Sequence, residues 1–536
     1  MKVIHILFFI IISIFFSCSQ PKAIYPKLVI TLVVDQMRPD LLTRYDKLYE
    51  GGFRWLMDHG KWFTNTHHEH GYTATGPGHF SIGSGQYPSR VGVLGNSFYD
   101  RDQKKVINCV EDPKAKVVGS SKGKARSYSR YNTTGLGDWV KEVYSKSKII
   151  SIGGKDRTAV MLGGKKPDLA LYYNYYGSFI SSDYYVDSLP DWVNYFNNNL
   201  NSESYKDSMW VKSLNDQVYL EYSREDFYYG EEDTYQNEIY SPVFPIGINP
   251  NEDPREMLMG RPWFEREMLN LSKLAISEEN LGKDMDPDIL FIGFSAMDWM
   301  IHDYGPYSQE IMDACLKLDK YLDDFINYVD QEVGLENVMF VLTADHGGLP
   351  LPEYLIKKGE NAGRIQKNIL KEALDWIDEE TEEKFGKKVY SRNGVNFFVD
   401  KEKLKTIDVE FSDVFKIIEK YLTRVDGIDM VLSKDSILKS NKEDKITMRL
   451  KNMLHPYKSA DIFPLLTPRY LYKSPYGTSH GTPYDYDTHV PLIFSQKHFK
   501  SSYINIPTAT VDIAATLARL LKIEVPKFCD GDILDI

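Results

Sequence analysis

Aspartate and histidine side chains occur at spacings that suit a metal-dependent hydrolase. Asp298 and His302 are four positions apart, so one helical turn places both on the same side. Asp345 and His346 are adjacent, and the two glycines after them let the backbone turn sharply. Each pair alone is more often a hydrogen-bonded helix face or a loop cap. Their joint occurrence after separate strands favours a metal site, and zinc prefers Asp oxygen and His nitrogen.

Asp35 and His480 complete a set of candidate ligands made of aspartates and histidines. Two zinc ions a few ångströms apart can bind the attacking and the leaving oxygen of a phosphoryl transfer. His489 competes with His480 for the last position, and the glycine that follows His480 favours the latter. Residues 67–70 read His-His-Glu-His and look like a metal cluster, but packing or a supporting role is the preferred interpretation.

A candidate nucleophile, Thr75, begins the segment Thr-Gly-Pro-Gly-His that ends at His79. A threonine hydroxyl is a weak nucleophile at neutral pH, but coordination to zinc can hold it as the alkoxide. The glycines allow a substrate to approach the backbone closely. Without the other residues, this segment would be read as a glycine-rich turn, so the assignment depends on the metal ligands.

The elements that position these residues are predicted as buried strands. Apolar, β-branched runs at 27–34, 147–152, 288–294 and 338–343 each end just before polar side chains. Apolar residues at helical spacing within 308–332 predict a crossover helix between the last two strands. Ligand sites in open α/β sheets lie at the carboxyl ends of the strands, so the polar residues that follow these strands can meet in one metal site. We expect an α/β fold with a mostly parallel central sheet, helices on both faces, and cap insertions.

The composition restricts the classes of partner. With 42% hydrophobic and 26% charged residues, the chain has enough apolar material for an ordinary globular core. The formal net charge of −12 disfavours nucleic acid as a partner, because phosphate backbones are held by clustered Lys and Arg. A small phosphate-bearing substrate needs only one or two local cations, so it is not disfavoured.

The N-terminus predicts export. An apolar run follows Lys2 and ends before Ser17 and Cys18, which is typical of a signal peptide over residues 1–17. The run is too short to cross a bilayer comfortably. A cysteine after a small residue at this point is typical of bacterial lipoproteins, so we expect lipidation of Cys18, with simple cleavage as the alternative. The expected location is the periplasm or the outer membrane of a Gram-negative bacterium.

These features together resemble those of a known family. The single residues that match are, in order, Asp35, Thr75, Asp298, His302, Asp345, His346 and His480. The matching segments are residues 32–40, 75–96, 155–157, 479–481 and 486–491. The chain resembles the alkaline phosphatase superfamily, and within it the PafA-type branch of bacterial phosphate monoesterases, which use a threonine nucleophile and two zinc ions. Type I phosphodiesterases and nucleotide pyrophosphatases are related to this branch. The resemblance covers most of the mature chain.

The resemblance implies two zinc ions per chain and assigns their ligands. The implied ligands of one zinc ion are Asp298, His302 and His480. The implied ligands of the other are Asp35, Asp345, His346 and the oxygen of Thr75. It also implies a single alkaline-phosphatase-like catalytic domain over residues 25–536, with insertions at about 165–285 and 350–475.

The pair Lys155 and Arg157 distinguishes the PafA-type branch in this resemblance, and it is expected to act together with Asn96. Lys155, Arg157 and the Asn96 amide are implied to bind the phosphate oxygens. A monoester carries a charged oxygen where a diester carries its second substituent, so cations at this place favour the monoester. Taken alone, the tripeptide Lys-Asp-Arg is typical of a run of charged residues exposed to solvent. Its position directly after a predicted strand and two glycines favours the functional interpretation.

The expected reaction is hydrolysis of phosphate monoesters to alcohol and inorganic phosphate through a phosphothreonine at Thr75. A phosphodiesterase or nucleotide pyrophosphatase of the same superfamily is one alternative, and a catalytically inactive surface binding lipoprotein is another. A sulfatase is disfavoured because its Cys or Ser in a C/S-x-P-x-R arrangement is absent at residues 75–79. The expected partners are small-molecule phosphate monoesters, with membrane contact only through the lipid anchor and a monomer favoured.

Overall fold

The computed structural model describes residues 25–200, 202–232, 242–248, 252–473 and 475–536. The predicted signal peptide and Cys18 lie outside the described residues. Within these ranges, no helix has both the length and the apolar character that a membrane crossing requires.

The strands are β1 (Leu28–Val34), β2 (Gly60–Phe63), β3 (Thr66–His67), β4 (Ser97–Asp100), β5 (Lys105–Asn108), β6 (Val117–Val118), β7 (Ile149–Gly153), β8 (Leu169–Tyr173), β9 (Phe179–Ser182), β10 (Asp288–Phe294), β11 (Val338–Thr343), β12 (Gly363–Arg364), β13 (Tyr390–Asn393), β14 (Asn396–Val399), β15 (Ile428–Ser433), β16 (Ile462–Leu466), β17 (Tyr470–Leu471), β18 (His489–Val490), β19 (Leu492–Ser495), β20 (Ser502–Ile504) and β21 (Thr508–Ala509).

The helices are α1 (Pro39–Arg44), α2 (Gly52–Asp58), α3 (Thr75–Ser84), α4 (Leu136–Val143), α5 (Asp156–Gly163), α6 (Asp191–Asn199), α7 (Asp216–Tyr222), α8 (Pro254–Met257), α9 (Trp263–Glu278), α10 (Ala296–Tyr304), α11 (Gln309–Glu332), α12 (Pro352–Lys357), α13 (Lys367–Phe385), α14 (Lys401–Thr406), α15 (Phe411–Leu422), α16 (Lys434–Lys439), α17 (Lys445–Met453), α18 (Asp485–Thr488) and α19 (Asp512–Leu520).

A ten-stranded sheet forms the centre, in the order β20-β2-β19-β11-β1-β10-β7-β8-β9-β6. The strands β11, β1, β10, β7 and β8 run parallel to one another. The strands β19 and β9 run antiparallel to their neighbours. The four strands predicted from apolar runs are the adjacent β11, β1, β10 and β7, and the predicted crossover helix is α11. The expected α/β fold with a mostly parallel sheet is therefore confirmed.

Side chains of β1 alternate between two cores, one on each face of the sheet. Leu32 and Val34 belong to the core that includes α9 and α11, whereas Val29 and Val33 belong to the core that includes α4 and α19. A strand covered on both faces needs apolar residues at every position. This is why the central strands read as continuous apolar runs in the sequence.

A second, four-stranded sheet lies within the chain between β11 and β18, in the order β13-β14-β16-β15. The helices α13 and α15 contribute to a core with one face of this sheet, which includes Phe397 and Ile462. Both residues alternate with neighbours on the opposite face, Phe398 and Phe463, because side chains alternate along a strand. The sheet therefore presents one face to its own helices and another to the rest of the molecule.

Arg449 on α17 joins this region to the remainder of the chain. Its side chain is fully buried, and Nη1 donates to Asp485 Oδ1 at 2.7 Å and to the carbonyl of Pro483 at 2.8 Å. Nε and Nη2 donate to the two carboxylate oxygens of Glu69, each at 3.1 Å. A bidentate pair of this kind fixes orientation as well as distance.

Replacing Arg449 with Met is expected to lower the free energy of unfolding by about 2–4 kcal/mol, because Glu69 and Asp485 lose their buried cation. The measurement is the urea midpoint followed by tryptophan fluorescence. Arg424→Met, at an exposed arginine of the same region, is the control and should leave the midpoint unchanged. Equal midpoints for the two variants would contradict the role assigned to Arg449.

Candidate active site

The first candidate metal group combines a helix and a loop. Asp298 and His302 lie one turn apart on α10, directly after β10, and His480 lies in the loop before α18. The Nε2 atoms of His302 and His480 are 3.4 and 3.7 Å from the same oxygen, Oδ1 of Asp298. Three ligand atoms therefore converge on one point near the carboxyl end of β10.

The second group follows the neighbouring strands β1 and β11. Asp35, Asp345 and His346 are fully buried and form a cluster of possible metal ligands. Nε2 of His346 is 3.4 Å from Asp35 Oδ1 and 3.4 Å from Asp345 Oδ2. The imidazole of His346 also stacks on that of His480, with ring centroids 3.6 Å apart. The two groups are thus adjacent halves of one site.

Each of the three histidines is oriented by a backbone carbonyl. In each of them Nδ1 is hydrogen-bonded to the carbonyl oxygen, so Nε2 faces the carboxylates. This arrangement is typical of metal-binding histidines. The histidine–carbonyl pairs are His302 with Thr478 at 2.7 Å, His480 with Thr73 at 2.6 Å and His346 with Gly347 at 2.9 Å.

Several buried polar atoms of the two groups have no hydrogen-bond partner. They are Oδ1 of Asp35, Oδ1 of Asp298, Oδ2 of Asp345 and Nε2 of His346. A buried polar atom without a partner is costly, and its presence in a native site calls for an ion or a water. Aspartate oxygens and neutral imidazole nitrogens are also a donor set that zinc binds. The residues present therefore fit two divalent metal ions.

Lys155 places its ammonium group between the two metal groups. Nζ donates to Asp35 Oδ2 at 2.6 Å and to Asp298 Oδ2 at 2.5 Å. Burial lowers the pKa of Lys155, but the carboxylates of Asp298 and Asp35 outweigh this effect and raise the pKa above its ordinary value. Burial raises the pKa of Asp35, and the nearby Asp298 and Asp345 raise it further. The site thus requires positive charge at its centre.

Thr75 is the first residue of α3, and the start of this helix lies against the second metal group. His79, one turn along, has Nδ1 2.8 Å from the carbonyl of Thr75 and 3.2 Å from Asp345 Oδ2. A β-carbon at Gly78 would lie 2.1 Å from the carbonyl oxygen of Asp345. Only glycine lets α3 come this close, so Gly78 determines where Thr75 lies.

Asn96 and Cys109 lie near the start of α3, and Arg157 lies in the first turn of α5. Asn96 Oδ1 accepts a hydrogen bond from the backbone N–H of Gly76 at 2.7 Å, which leaves its NH2 group as a donor. Nη1 of Arg157 is 3.5 Å from Asp156, and its buried Nε has no partner. A Gly76 β-carbon would lie 3.1 Å from Cys109 Sγ and 3.4 Å from Asn96 Oδ1.

The other histidines that the sequence singled out, at positions 67, 68, 70 and 489, lie outside the two groups. His67 has Nδ1 2.9 Å from Thr488 Oγ1 and stacks on His489, whose Nε2 is 2.9 Å from the carbonyl of Thr64. His68 bonds the carbonyl of Ala344 at 2.9 Å, directly before Asp345. His67 and His68 are thus held by hydrogen bonds and ring stacking, and the packing or supporting role of residues 67–70 stays a prediction. Of the two histidines considered for the last ligand position, the structure places His480 in the group.

Glu265 on α9 is a supporting residue that was not predicted from the sequence. Its Oε1 accepts hydrogen bonds from the backbone N–H groups of Ala296 and Met297 at 2.7 and 3.3 Å, so it holds the first turn of α10, which carries Asp298. Burial raises the pKa of Glu265 to about 8. The available signal was a glutamate directly after Trp263 and Phe264, within the buried side of an amphipathic helix.

Comparisons with known proteins identify the family. Residues 29–489 match the family model for type I phosphodiesterases and nucleotide pyrophosphatases. The chain is 31% identical over 516 residues to alkaline phosphatase PafA of Elizabethkingia meningoseptica, covering 94% of this chain and 93% of that protein. It is 30% identical over 516 residues to alkaline phosphatase PhoV of Synechococcus elongatus, covering 95% of this chain and 92% of that protein.

The fold matches a solved alkaline phosphatase. The crystal structure of PafA superposes with a TM-score of 0.88 at 31% identity, covering 95% of this chain and 98% of that one. A PafA variant with a threonine changed to serine, and an asparagine, a lysine and an arginine changed to alanine, also matches with a TM-score of 0.88 at 30% identity, over 95% of this chain and 98% of that one.

Those four substituted residues follow the spacing of four residues in this chain. The threonine and asparagine are separated as Thr75 and Asn96 are, and the lysine and arginine as Lys155 and Arg157 are. Both the family match and the identity extend over most of the sequence. The chain belongs to the type I phosphodiesterase and nucleotide pyrophosphatase family within the alkaline phosphatase superfamily, and it is a phosphatase.

Proposed function

We propose that the chain hydrolyses phosphate monoesters in a two-zinc site, with Thr75 as the nucleophile. The observation that carries the proposal is the pair of adjacent ligand groups, joined by the stacked rings of His346 and His480. The relatives named as alkaline phosphatases support the same reaction. A phosphodiesterase would share the metal ligands, so the substrate comparison below separates the two activities.

The proposed ligands of the first zinc ion are Asp298, His302 and His480. The proposed ligands of the second are Asp35, Asp345 and His346, with the Thr75 oxygen as a further ligand. Zinc at this site would supply Lewis-acid stabilisation of the attacking and the departing oxygen. The stabilised charge is largest when both oxygens are partly bonded to phosphorus, so the effect lowers the barrier.

In the proposed reaction, Thr75 forms the new bond to phosphorus and three other residues hold the phosphate. Thr75 Oγ1 forms a bond to phosphorus as the bond to the leaving oxygen breaks, which gives a phosphothreonine and an alcohol. A water molecule then attacks phosphorus, and inorganic phosphate leaves as the Thr75 hydroxyl is restored. Lys155, Arg157 and the NH2 group of Asn96 would hold the other phosphate oxygens through both steps.

Changing Thr75 to Ala is expected to lower kcat/KM for an aryl phosphate at least about a thousandfold, because the residue that forms the covalent intermediate is removed. Zinc content should stay near two ions per chain, as measured by elemental analysis. Thr75→Ser is the matched variant and should retain more activity, since it keeps a hydroxyl. Wild-type rates in Thr75→Ala would exclude Thr75 as the nucleophile.

Lys155→Ala and Arg157→Ala are expected to lower kcat/KM about a hundredfold for an aryl phosphate monoester, and much less for the methyl diester with the same leaving group. The reason is that the diester lacks the second charged oxygen. Lys166→Ala changes an exposed lysine in the loop between α5 and β8 and is the control. Equal losses on both esters with zinc retained would favour the diesterase alternative.

Lys155 contacts two proposed ligands, so zinc content is measured for each variant. A fall on both esters together with zinc loss would show that Lys155 acts on metal binding. Arg157 makes no ion pair with either metal group among the described residues. Burial lowers the pKa of Arg157, but Asp35 lies close enough to help raise it, so zinc content is measured for the Arg157 variant as well.

We propose that the chain is exported and that Cys18 carries lipid. The support is the sequence of residues 1–18, with its apolar run before Ser17 and Cys18. Mass spectrometry of the mature N-terminus is expected to find a lipid-modified Cys18, and Cys18→Ala should move the protein from the membrane fraction to the soluble fraction. An unmodified N-terminus elsewhere in the sequence would contradict lipidation.

A further inference from the structure

A cleft opens beside the first metal group, between the catalytic region and the four-stranded sheet. Its volume is about 460 Å³. Ligand pockets for small molecules are typically about 300–1,000 Å³, so the cleft is large enough for an organic group. It reaches the proposed active site at Ser479, His480 and Gly481, and the active-site end is bordered by Tyr72.

The wall opposite the active site comes from the face of the four-stranded sheet that its helices leave uncovered. Asn396 and Phe398 of β14 and Phe463 and Leu465 of β16 line the cleft. Phe397 and Ile462, which alternate with them, belong to the core under α13 and α15. The apolar side chains of the cleft wall thus face a cavity that connects directly to the proposed metal site.

The charges of the cleft restrict what it can hold. Among the described residues that line it there is no lysine, arginine or glutamate, and the one aspartate is Asp487. Oδ2 of Asp487 accepts hydrogen bonds from the backbone N–H and the hydroxyl of Thr482 at 2.8 and 2.7 Å. A leaving group with further phosphates would meet a carboxylate and no cation, so the cleft suits an uncharged, apolar group.

Tyr72 lies at the border between the cleft and the catalytic residues. A β-carbon at Gly95 would be 3.2 Å from Tyr72 Cε1, and one at Gly481 would be 3.1 Å from Cε2. The ring therefore fits between the residues that directly adjoin Asn96 and His480. Tyr72 is nevertheless 45% exposed, so much of its surface is available to a bound group. An exposed tyrosine face is well suited to stacking on an aromatic ring.

We propose that this cleft binds the leaving group of the substrate, that the preferred leaving groups are uncharged aromatic alcohols, and that Tyr72 is a specificity-determining residue. The inference rests on the proposed function: because the Thr75 oxygen is a proposed ligand of the second zinc ion, the departing oxygen would lie on the side of the first group, which includes His480. The leaving oxygen would lie at His480, and the ring attached to it would extend past Tyr72 toward Phe398 and Phe463.

The test compares 2-naphthyl phosphate with phenyl phosphate, whose leaving groups are similar in acidity and differ in apolar area. The wild-type protein with zinc is expected to show a kcat/KM about tenfold higher for the naphthyl ester, from burial of the second ring. Tyr72→Ala should reduce this ratio to about twofold, since the stacking surface is lost. Tyr72→Phe keeps the ring and should retain the wild-type ratio.

A second variant tests the opposite wall. Val395, in the hairpin between β13 and β14, lines the cleft and is half-buried. Val395→Trp narrows the cleft and should lower kcat/KM several times more for the naphthyl ester than for the phenyl ester, because overfilling acts most strongly on the larger group. Tyr195→Ala, at a 63% exposed tyrosine on α6, is the control and should leave both rates unchanged.

The possible results separate the two proposals. Equal kcat/KM for the two esters in the wild type, or an unchanged ratio in both Tyr72→Ala and Val395→Trp, would overturn the cleft assignment while leaving phosphate monoester hydrolysis standing. Absence of hydrolysis of either ester by the zinc-loaded wild type would overturn the proposed function and the cleft assignment together.

Discussion

The close burial of three aspartates is the constraint on which the site depends. Asp35 and Asp345 are fully buried and Asp298 is 5% exposed, all near the carboxyl ends of adjacent strands. Carboxylates buried together in a medium of low dielectric constant are stable only if cations lie among them. Lys155 provides one positive charge. Two divalent ions would provide the rest, so metal binding and the stability of this region are linked.

The surrounding fold brings these aspartates and the three histidines together. Parallel neighbours β11, β1 and β10 end at the same edge of the sheet, which brings together aspartates that are far apart in the sequence. Backbone carbonyls hold the three histidines with Nε2 toward the carboxylates. Gly78 lets α3 approach Asp345, and His79 links the start of α3 to the same carboxylate. Backbone packing thus holds the start of α3, which carries the proposed nucleophile Thr75, against the second metal group.

The sequence predicted the central strands well, because strands covered on both faces give uninterrupted apolar runs. Three of the candidate ligands, Asp35, Asp298 and Asp345, could also be selected from the sequence, because they closely follow predicted strands. Which of His480 and His489 lies in a metal group is visible only in the tertiary structure. His489 pairs with His67 across β18 and β3, and its Nε2 is hydrogen-bonded to the carbonyl of Thr64. The cleft could not be predicted, because β14 and β16 pair across a long sequence separation that leaves no periodic signal.

The proposed function requires two divalent ions in the two ligand groups. X-ray diffraction from crystals of the zinc-loaded protein, recorded on both sides of the zinc absorption edge, measures their presence and positions. Two anomalous peaks are expected, one bonded to Asp298, His302 and His480 and the other to Asp35, Asp345 and His346. No peak at either group, or zinc bound only at residues 67–70, would contradict the proposed function.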